Sequence, residues 1–451
     1  MIVDSEISPR SRAMSDPGGL RRVLRLHDLA LLIVGTVIGS GIFLVPGLVL
    51  KDVGNSVPLA LLVWIIGGIL SLLGALTYGE LSATNPEAGG LYVYIRDCFG
   101  KFSAFLFGWV LFFVVSTGSI ATLAVAFGNY LGEIFPIGFW SVKAVALVMI
   151  AVIALVNICG TRQSADLQNV TTVIKVLAIL SMAGALFWFG NPSRAISPVS
   201  PSYLSIRSQL SAIALATISV LWAYEGWQYA TFAAGETLNP RRDFPLAFLV
   251  GIFVLIVIYI VANLGYLAAL GQVGVATSDR VAAAAMSAAT SPTLAKSVTF
   301  AILLSIFSAA NSIALTAPRV YYAMAKDGLF FRQLAEVHPR FGTPALAIGA
   351  TALWSALLAL TGTFEQLLTY VVFIGWAFYA LAAASIFLYR KREVNSAAGY
   401  RVPGYPWTPA VFIIAVAALV LNTIFSQPGR AAIGLAVVLT GAPAYLIWRK
   451  K

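Results

Sequence analysis

Apolar residues in this chain do not alternate with polar ones; they run in long blocks. In order, the blocks lie near 28–50, 57–83, 102–131, 138–158, 167–190, 211–235, 244–270, 293–322, 344–362, 365–389, 408–426 and 430–448. Most approach or exceed the roughly 20 apolar residues that an α-helix needs to cross the hydrocarbon of a bilayer. The pattern predicts twelve membrane-spanning helices, since a helix satisfies its own backbone groups where no water can. The first block is the informative one. It has no charged side chain between Asp28 and Lys51, yet Gly39-Ser40-Gly41-Ile42-Phe43 sits at its middle, with Gly35, Pro46 and Gly47 nearby. Glycine weakens a helix interior, and broken backbone at membrane depth is tolerated only where it is buried in protein or lines a wet cavity. Two readings stay open: unwound backbone whose N–H groups, at the start of a second half-helix, receive an anion such as a carboxylate, or a glycine face packed on a neighbouring helix.

The sixth block carries a second interruption, Trp222-Ala223-Tyr224-Glu225-Gly226-Trp227. Gly39 precedes Pro58 by 19 positions, Gly226 precedes Pro245 by the same 19, and both prolines open similar apolar runs. An internal repeat of five spans predicts this spacing. Five being odd, the second copy is inverted, and paired broken helices in such a repeat point to a transport site at the midplane. The expected fold is an all-α multi-pass membrane protein of twelve transmembrane helices. It comprises an inverted 5+5 repeat, with discontinuous helices 1 and 6 broken near 39–42 and 224–227, plus two extra C-terminal helices. The expected divisions are a disordered cytoplasmic tail 1–27, a first repeat 28–190, an extracytoplasmic loop 191–210, a second repeat 211–390, a cytoplasmic loop 391–407, and helices 11 and 12 within 408–451. A short helix at the inner mouth near 85–94 and an Ala-rich surface helix within 279–289 complete the outline.

Composition narrows the class. Of 451 residues, 59% are hydrophobic and 10% charged, which excludes an ordinary soluble domain. The net charge of +11 follows a topology rule: with the N-terminus inside, 21 of the 29 Lys and Arg fall on the inner side, seven on the outer, and Lys175 within a span. That asymmetry places both termini in the cytoplasm of a plasma or inner membrane and removes nucleic acid as a partner; the lipid bilayer takes its place. Cys98 and Cys159 read as incidental thiols. The chain lacks a nucleotide loop, a metal-ligand cluster and a nucleophile motif, so neither an enzyme nor a cofactor or metal is expected. Glu80, Glu87 and Asp97 read as inner-loop charges paired with adjacent Arg or Lys.

Glu225 and Lys175 are among the few ionisable groups within spans, where charge is expensive and functional by default. Glu225 has three readings: partner of a substrate cation, carrier of a proton, or cap for the N–H groups of the second half of span 6. Lys175 either acts at membrane depth or snorkels to the surface. On span 8, Ser308, Asn311 and Ser312 share one helical face.

Taken together, Gly39–Phe43, the Gly89-Gly90-x-Tyr92-x-Tyr94 loop, Trp222–Trp227, Asn239-Pro240-Arg241 and the Ser305–Ser312 run resemble the amino acid–polyamine–organocation (APC) superfamily. The similarity holds in order from His27 to Trp448 and is nearest to the L-type amino-acid transporters and their bacterial relatives. It implies a secondary active amino-acid permease or exchanger that works by alternating access without sodium. The alternatives are a proton-coupled permease for cationic amino acids or polyamines on the same fold, and a membrane nutrient receptor. By resemblance, the N–H groups of Ser40, Gly41 and Ile42 with the Ser40 hydroxyl hold the substrate carboxylate. The carbonyls of Val37 and Ile38, ahead of the break at Gly39, face the α-ammonium. Trp222 and Ala223 offer further carbonyls, and Trp222 is either a gate over the substrate or a packing aromatic. Gly375 and Trp376 fall where relatives have a substrate-contacting Asn and an aromatic; the missing Asn leaves the substrate open. In relatives the position of Glu225 is Gly or Asp, the acidic form going with cationic substrates. Lys175 matches a lysine of sodium-independent members whose ammonium replaces a bound Na⁺ between spans 1, 5 and 8. Ser308, Asn311 and Ser312 either meet that ammonium or bond across helices. L-type light chains join a glycoprotein through a cysteine after span 3; the loop from Gly132 to Ser141 has none, so no disulfide-linked partner is expected.

Overall fold

The computed structural model describes residues 19–135, 137–191, 193, 206–278, 280–361, 364–392, 399–426 and 428–449. Among them all regular structure is helical apart from one isolated bridge between Leu24 and Thr237. In chain order the helices are α1 (Leu26–Val37), α2 (Gly41–Asp52), α3 (Val57–Thr84), α4 (Leu91–Val110), a π turn (Leu111–Val115), α5 (Ser116–Ile134), α6 (Phe139–Cys159), α7 (Thr161–Phe189) and α8 (Ile206–Ala223). A 3-10 stretch (Trp227–Glu236) leads to α9 (Pro240–Ala276), α10 (Val281–Ala289), α11 (Pro292–Thr316), α12 (Pro318–Lys326), a 3-10 turn (Arg332–Ala335), α13 (Ala345–Thr361), α14 (Phe364–Lys391), α15 (Trp407–Ser426) and α16 (Pro428–Arg449). Seven stretches among the described residues are long and apolar enough to cross a membrane, and the bent pair α1–α2 makes an eighth. The molecule is an all-α, multi-pass bundle of the membrane type.

Its exterior shows why. On α9, Leu249, Val250, Phe253 and Val257 are exposed, while Phe248, Ile252, Leu255 and Tyr259 on the other side are buried. A helix facing water would carry polar side chains on that outer stripe; apolar residues there are at home only against lipid. Burial also orders the bundle. The apolar window of Lys296–Lys326 is 78% buried and that of Ala431–Trp448 only 22%, which puts α11–α12 at the heart and α16 at the rim.

Both expected interruptions are present. α1 stops at Val37, α2 starts at Gly41, and the two are bent by 52°. α8 stops at Ala223, turns through Tyr224–Gly226 and resumes as a 3-10 stretch rather than an α-helix. The breaks are pressed together by their glycines. A Cβ on Gly41 would lie 3.0 Å from the backbone of Ala223, and one on Gly226, whose φ is +126°, would lie 2.9 Å from Thr36. The glycines thus permit unwinding and also let the two unwound segments touch.

Of the stretch 85–94 expected to form a short helix, residues 85–90 are irregular and turn, and a helical segment starts at Leu91 and is set apart from the rest of α4 by Gly100 at φ +86°. The Ala-rich segment forms α10, packed down through Val281, Ala282, Ala285 and Met286. The last residues of the stretch read as a free tail behave otherwise. The N–H groups of Val23 and Leu24 donate to the Glu236 carbonyl at 2.8 and 2.9 Å, and Leu238 N–H donates to the Leu24 carbonyl at 2.9 Å. Leu24 is buried, so its apolar side chain, hidden among arginines in the sequence, anchors the segment.

Candidate functional site

The meeting of the two breaks gathers the candidate residues. Ser40, Gly41 and Ile42 are buried at the start of α2, and their N–H groups find no backbone acceptor among the described residues; the first to do so is Phe43, which donates to the Ser40 carbonyl at 3.1 Å. A half-helix start with unpaired N–H groups carries partial positive charge and suits an anion. At the other side of the break the carbonyls are already engaged. The Val37 carbonyl accepts from Gly39 N–H at 2.8 Å and from the Tyr259 hydroxyl at 3.3 Å. The Ile38 carbonyl accepts from the Lys175 ammonium. Each carbonyl oxygen has two lone pairs, so Ile38 keeps one for a further donor and Val37 is nearly filled.

Tyr259 escaped the reading of the sequence. It sits on α9, and its hydroxyl donates to the Ala223 carbonyl at 2.8 Å, with the Val37 carbonyl as second acceptor. One side chain therefore ties the C-terminal ends of both first half-helices. Its ring is held edge-on by Trp64 and Tyr224, at 5.3 and 4.9 Å between centroids. Nothing in a 3.6-residue pattern distinguishes this tyrosine from other core aromatics.

Lys175 is fully buried on α7. Its Nζ donates to the carbonyls of Gly35 at 2.5 Å and Ile38 at 2.8 Å, the last turn of α1, where freed carbonyls concentrate negative charge. The ammonium does not reach the surface. Ser308 and Asn311 bond across helices, Ser312 bonds back within its own helix, and the ammonium donates to none of the three. Gln168 Nε2 donates to Ser308 Oγ at 2.9 Å and Asn311 Nδ2 to Gln168 Oε1 at 3.1 Å. Asn157 Nδ2 donates to Asn311 Oδ1 at 3.0 Å, Ser164 Oγ to Asn157 Oδ1 at 2.7 Å, and Ser312 Oγ turns back to the Ser308 carbonyl. These buried side chains join α6, α7 and α11 into one frame beside the ammonium.

Glu225 lies half-buried in the turn after α8. The Tyr379 hydroxyl donates to its Oε1 at 3.1 Å. The Gly226 N–H donates to Gln228 Oε1 and not to the Glu225 carboxylate. Gly375 and Trp376 are both buried on α14. Trp376 packs on Tyr379 at 5.7 Å. A Cβ on Gly375 would lie 3.1 Å from the Tyr379 hydroxyl, so the glycine makes room for that hydroxyl. Trp222 is partly exposed, Ala223 buried.

Away from the breaks, charges are paired. Arg390 grips both oxygens of Glu80 at 2.8 and 2.7 Å, and Arg96 reaches Glu87, Asp97 and Asp327. Asp97 and Glu87 therefore pair as expected, whereas Glu80 is buried and its partner lies 310 residues away. Cys98 and Cys159 are free.

Residues 24–444 match the amino acid permease family. A serine/threonine exchanger of Bacillus subtilis is 30% identical, over 97% of this chain and 99% of its own length. The large neutral amino acids transporter small subunit 2 of Mus musculus is also 30% identical, over 99% of this chain and 86% of its own. The human cystine/glutamate transporter is 29% identical over 96% and 86%. A match that spans nearly the whole chain and both breaks leaves one conclusion: the chain belongs to the amino acid permease family, a family of membrane transporters and not of enzymes.

Proposed function

We propose that amino acids bind where the two breaks meet, and cross by alternating access without sodium, the Lys175 ammonium standing in for a bound cation. The observation that carries this reading is the pair of short bonds from Lys175 Nζ to the carbonyls of Gly35 and Ile38. A cation is needed where α1 ends at membrane depth with its carbonyls exposed, and a compact point charge on a flexible stem supplies it. The substrate carboxylate sits on the N–H groups of Ser40, Gly41 and Ile42. The α-ammonium takes the lone pairs left on the Ile38 and Ala223 carbonyls. Trp222, partly exposed beside them, covers the bound molecule. The twelve spans form an inverted 5+5 repeat with two helices added, both termini are cytoplasmic, and no disulfide-linked partner is required.

The substrate side chain meets Glu225 and Tyr379. By their names one relative carries large neutral amino acids and another cystine or glutamate, and in the proposed reading Glu225 and Tyr379 set which side chain this protein accepts. A carboxylate with one neutral donor at membrane depth calls for a cation or a proton. Glu225→Gln separates these: with a substrate cation as partner, competition by arginine falls relative to alanine; with a proton, the ratio holds and pH dependence is lost. Unchanged ratio and pH profile together remove Glu225 from the site. The function itself is tested by uptake of labelled amino acids into proteoliposomes, with and without internal amino acid. Saturable uptake, faster with internal amino acid, is the result expected of an exchanger; no saturable uptake of any amino acid contradicts the proposal.

A further inference from the structure

One buried ion pair takes no part in the site. Glu236, ten residues past the break at Gly226, and Arg319, at the start of α12, are both fully buried. Arg319 Nε donates to Glu236 Oε2 at 2.6 Å and its Nη2 to Oε1 at 3.0 Å. The Thr161 hydroxyl, at the start of α7, donates to Glu236 Oε1 at 2.7 Å and accepts from Arg319 Nη2 at 2.9 Å. The same Glu236 receives, on its backbone carbonyl, the N–H groups of Val23 and Leu24, so the chain entering α1 lies across it. Four separate pieces converge on one residue: the segment before α1, the second half of span 6, α7 and α12.

We propose that Glu236, Arg319 and Thr161, with the Leu24 segment laid on them, form a latch that closes the mouth of the transport path on this side of the molecule. The inference rests on the reading of the breaks as the transport site. The segment before α1 and the stretch after Gly226 belong to the two broken spans, while α7 belongs to the frame that carries Lys175 and the Gln168–Asn311 network, and α12 follows α11 of that frame by one residue. Parting the broken spans from that frame on this side must pull Glu236 away from Arg319 and Thr161. A bidentate, dry ion pair resists this. It is also incomplete: Arg319 Nη1 is buried with no hydrogen-bond partner among the described residues. A buried charged donor left unpaired is costly, and water entering the opened mouth satisfies it. Loss of the pair on opening is thereby offset by hydration of Nη1, as a two-position element requires.

The test reads opening, not transport. Thr172 on α7 donates to the Leu31 carbonyl of α1, so a thiol there is covered while the latch is shut. In the full chain carrying Cys98→Ser, Cys159→Ser and Thr172→Cys, the rate of labelling by a membrane-impermeant methanethiosulfonate is measured. Added Glu236→Gln is expected to raise it about tenfold by shifting the population toward the open form. Thr161→Val, which keeps the shape and leaves the ion pair in place, raises it by less and decides the matter should the glutamine variant fail to fold. Labelling unchanged by Thr161→Val, and by Glu236→Gln in folded protein, overturns the latch. Wild-type protein that transports no amino acid overturns the proposed function instead, and the two failures are read in separate assays.

Discussion

The middle of the molecule and its N-terminal mouth are built on opposite rules. At the middle, groups are left open among the described residues: N–H groups of Ser40 to Ile42 without backbone acceptors, and a carboxylate, Glu225, with one neutral hydrogen-bond partner. At the mouth most polar atoms are taken, by Arg319 on Glu236 and Thr161 and by Arg162 on Asp28 and Asp166, with Arg319 Nη1 and Asn169 Oδ1 left over among the described residues. Asp28 also accepts from Asn169 and from its own helix start at Arg25. Unmet polar groups in an apolar surrounding are expensive, and in the proposed reading a bound amino acid completes those at the breaks. The mouth spends its polar groups on holding segments together. In the proposed reading the open groups at the breaks serve binding and the paired ones at the mouth serve fastening, and the two can be told apart by what their loss does.

The largest effect is expected at the mouth. Arg319→Ala leaves Glu236 charged, dry and without its ion-pair partner, which costs roughly 3–5 kcal/mol for a buried pair stripped of one member. Thermal unfolding in detergent checks this, and a loss below that range would mean water already reaches Glu236. Next comes the contact of the two breaks. Gly226→Ala forces a side chain into a left-handed backbone and against Thr36, a cost of about 1–3 kcal/mol. Uptake should fall far more than stability does, since the breaks are pushed apart at the site. The smallest effect belongs to Glu87→Ala. Glu87 is more than half exposed where it meets Arg96, and solvent-screened pairs are worth about 0–1 kcal/mol. A larger loss would show that the surface network around Arg96 fastens the mouth as strongly as the buried pair.

The sequence makes part of this visible, for physical reasons. Both breaks are legible because glycine in the middle of an apolar span has few uses, and because the same 19-residue spacing recurs after each. Lys175 is legible because charge within a span is rare. Gly41 is legible only in part. Its open N–H suits a ligand, but its missing side chain also serves the contact with Ala223, so a bulky substitution there disturbs packing as well as binding. The pairings are not legible at all. Glu236 and Arg319 are 83 residues apart, and Arg319 reads as one more basic residue at the end of a span until packing brings its partner to it. Tyr259 and Tyr379 are hidden in the same way, since the position of a hydroxyl at a helix end depends on how helices cross. Lys143, counted from the sequence among the outer charges, is buried on α6 with its Nζ on the Ala359 carbonyl.

The central claim is that a lysine does the work of an ion at the open middle. Uptake into proteoliposomes should be the same in Na⁺, K⁺ and choline for the wild-type chain. Lys175→Ala should lose most of that uptake, because the Gly35 and Ile38 carbonyls would face each other at membrane depth without a positive partner. Lys175→Arg should be impaired as well, a planar guanidinium being a poor copy of a compact ammonium. Strict dependence on Na⁺ in the wild type, or full uptake in the alanine variant, would contradict the account.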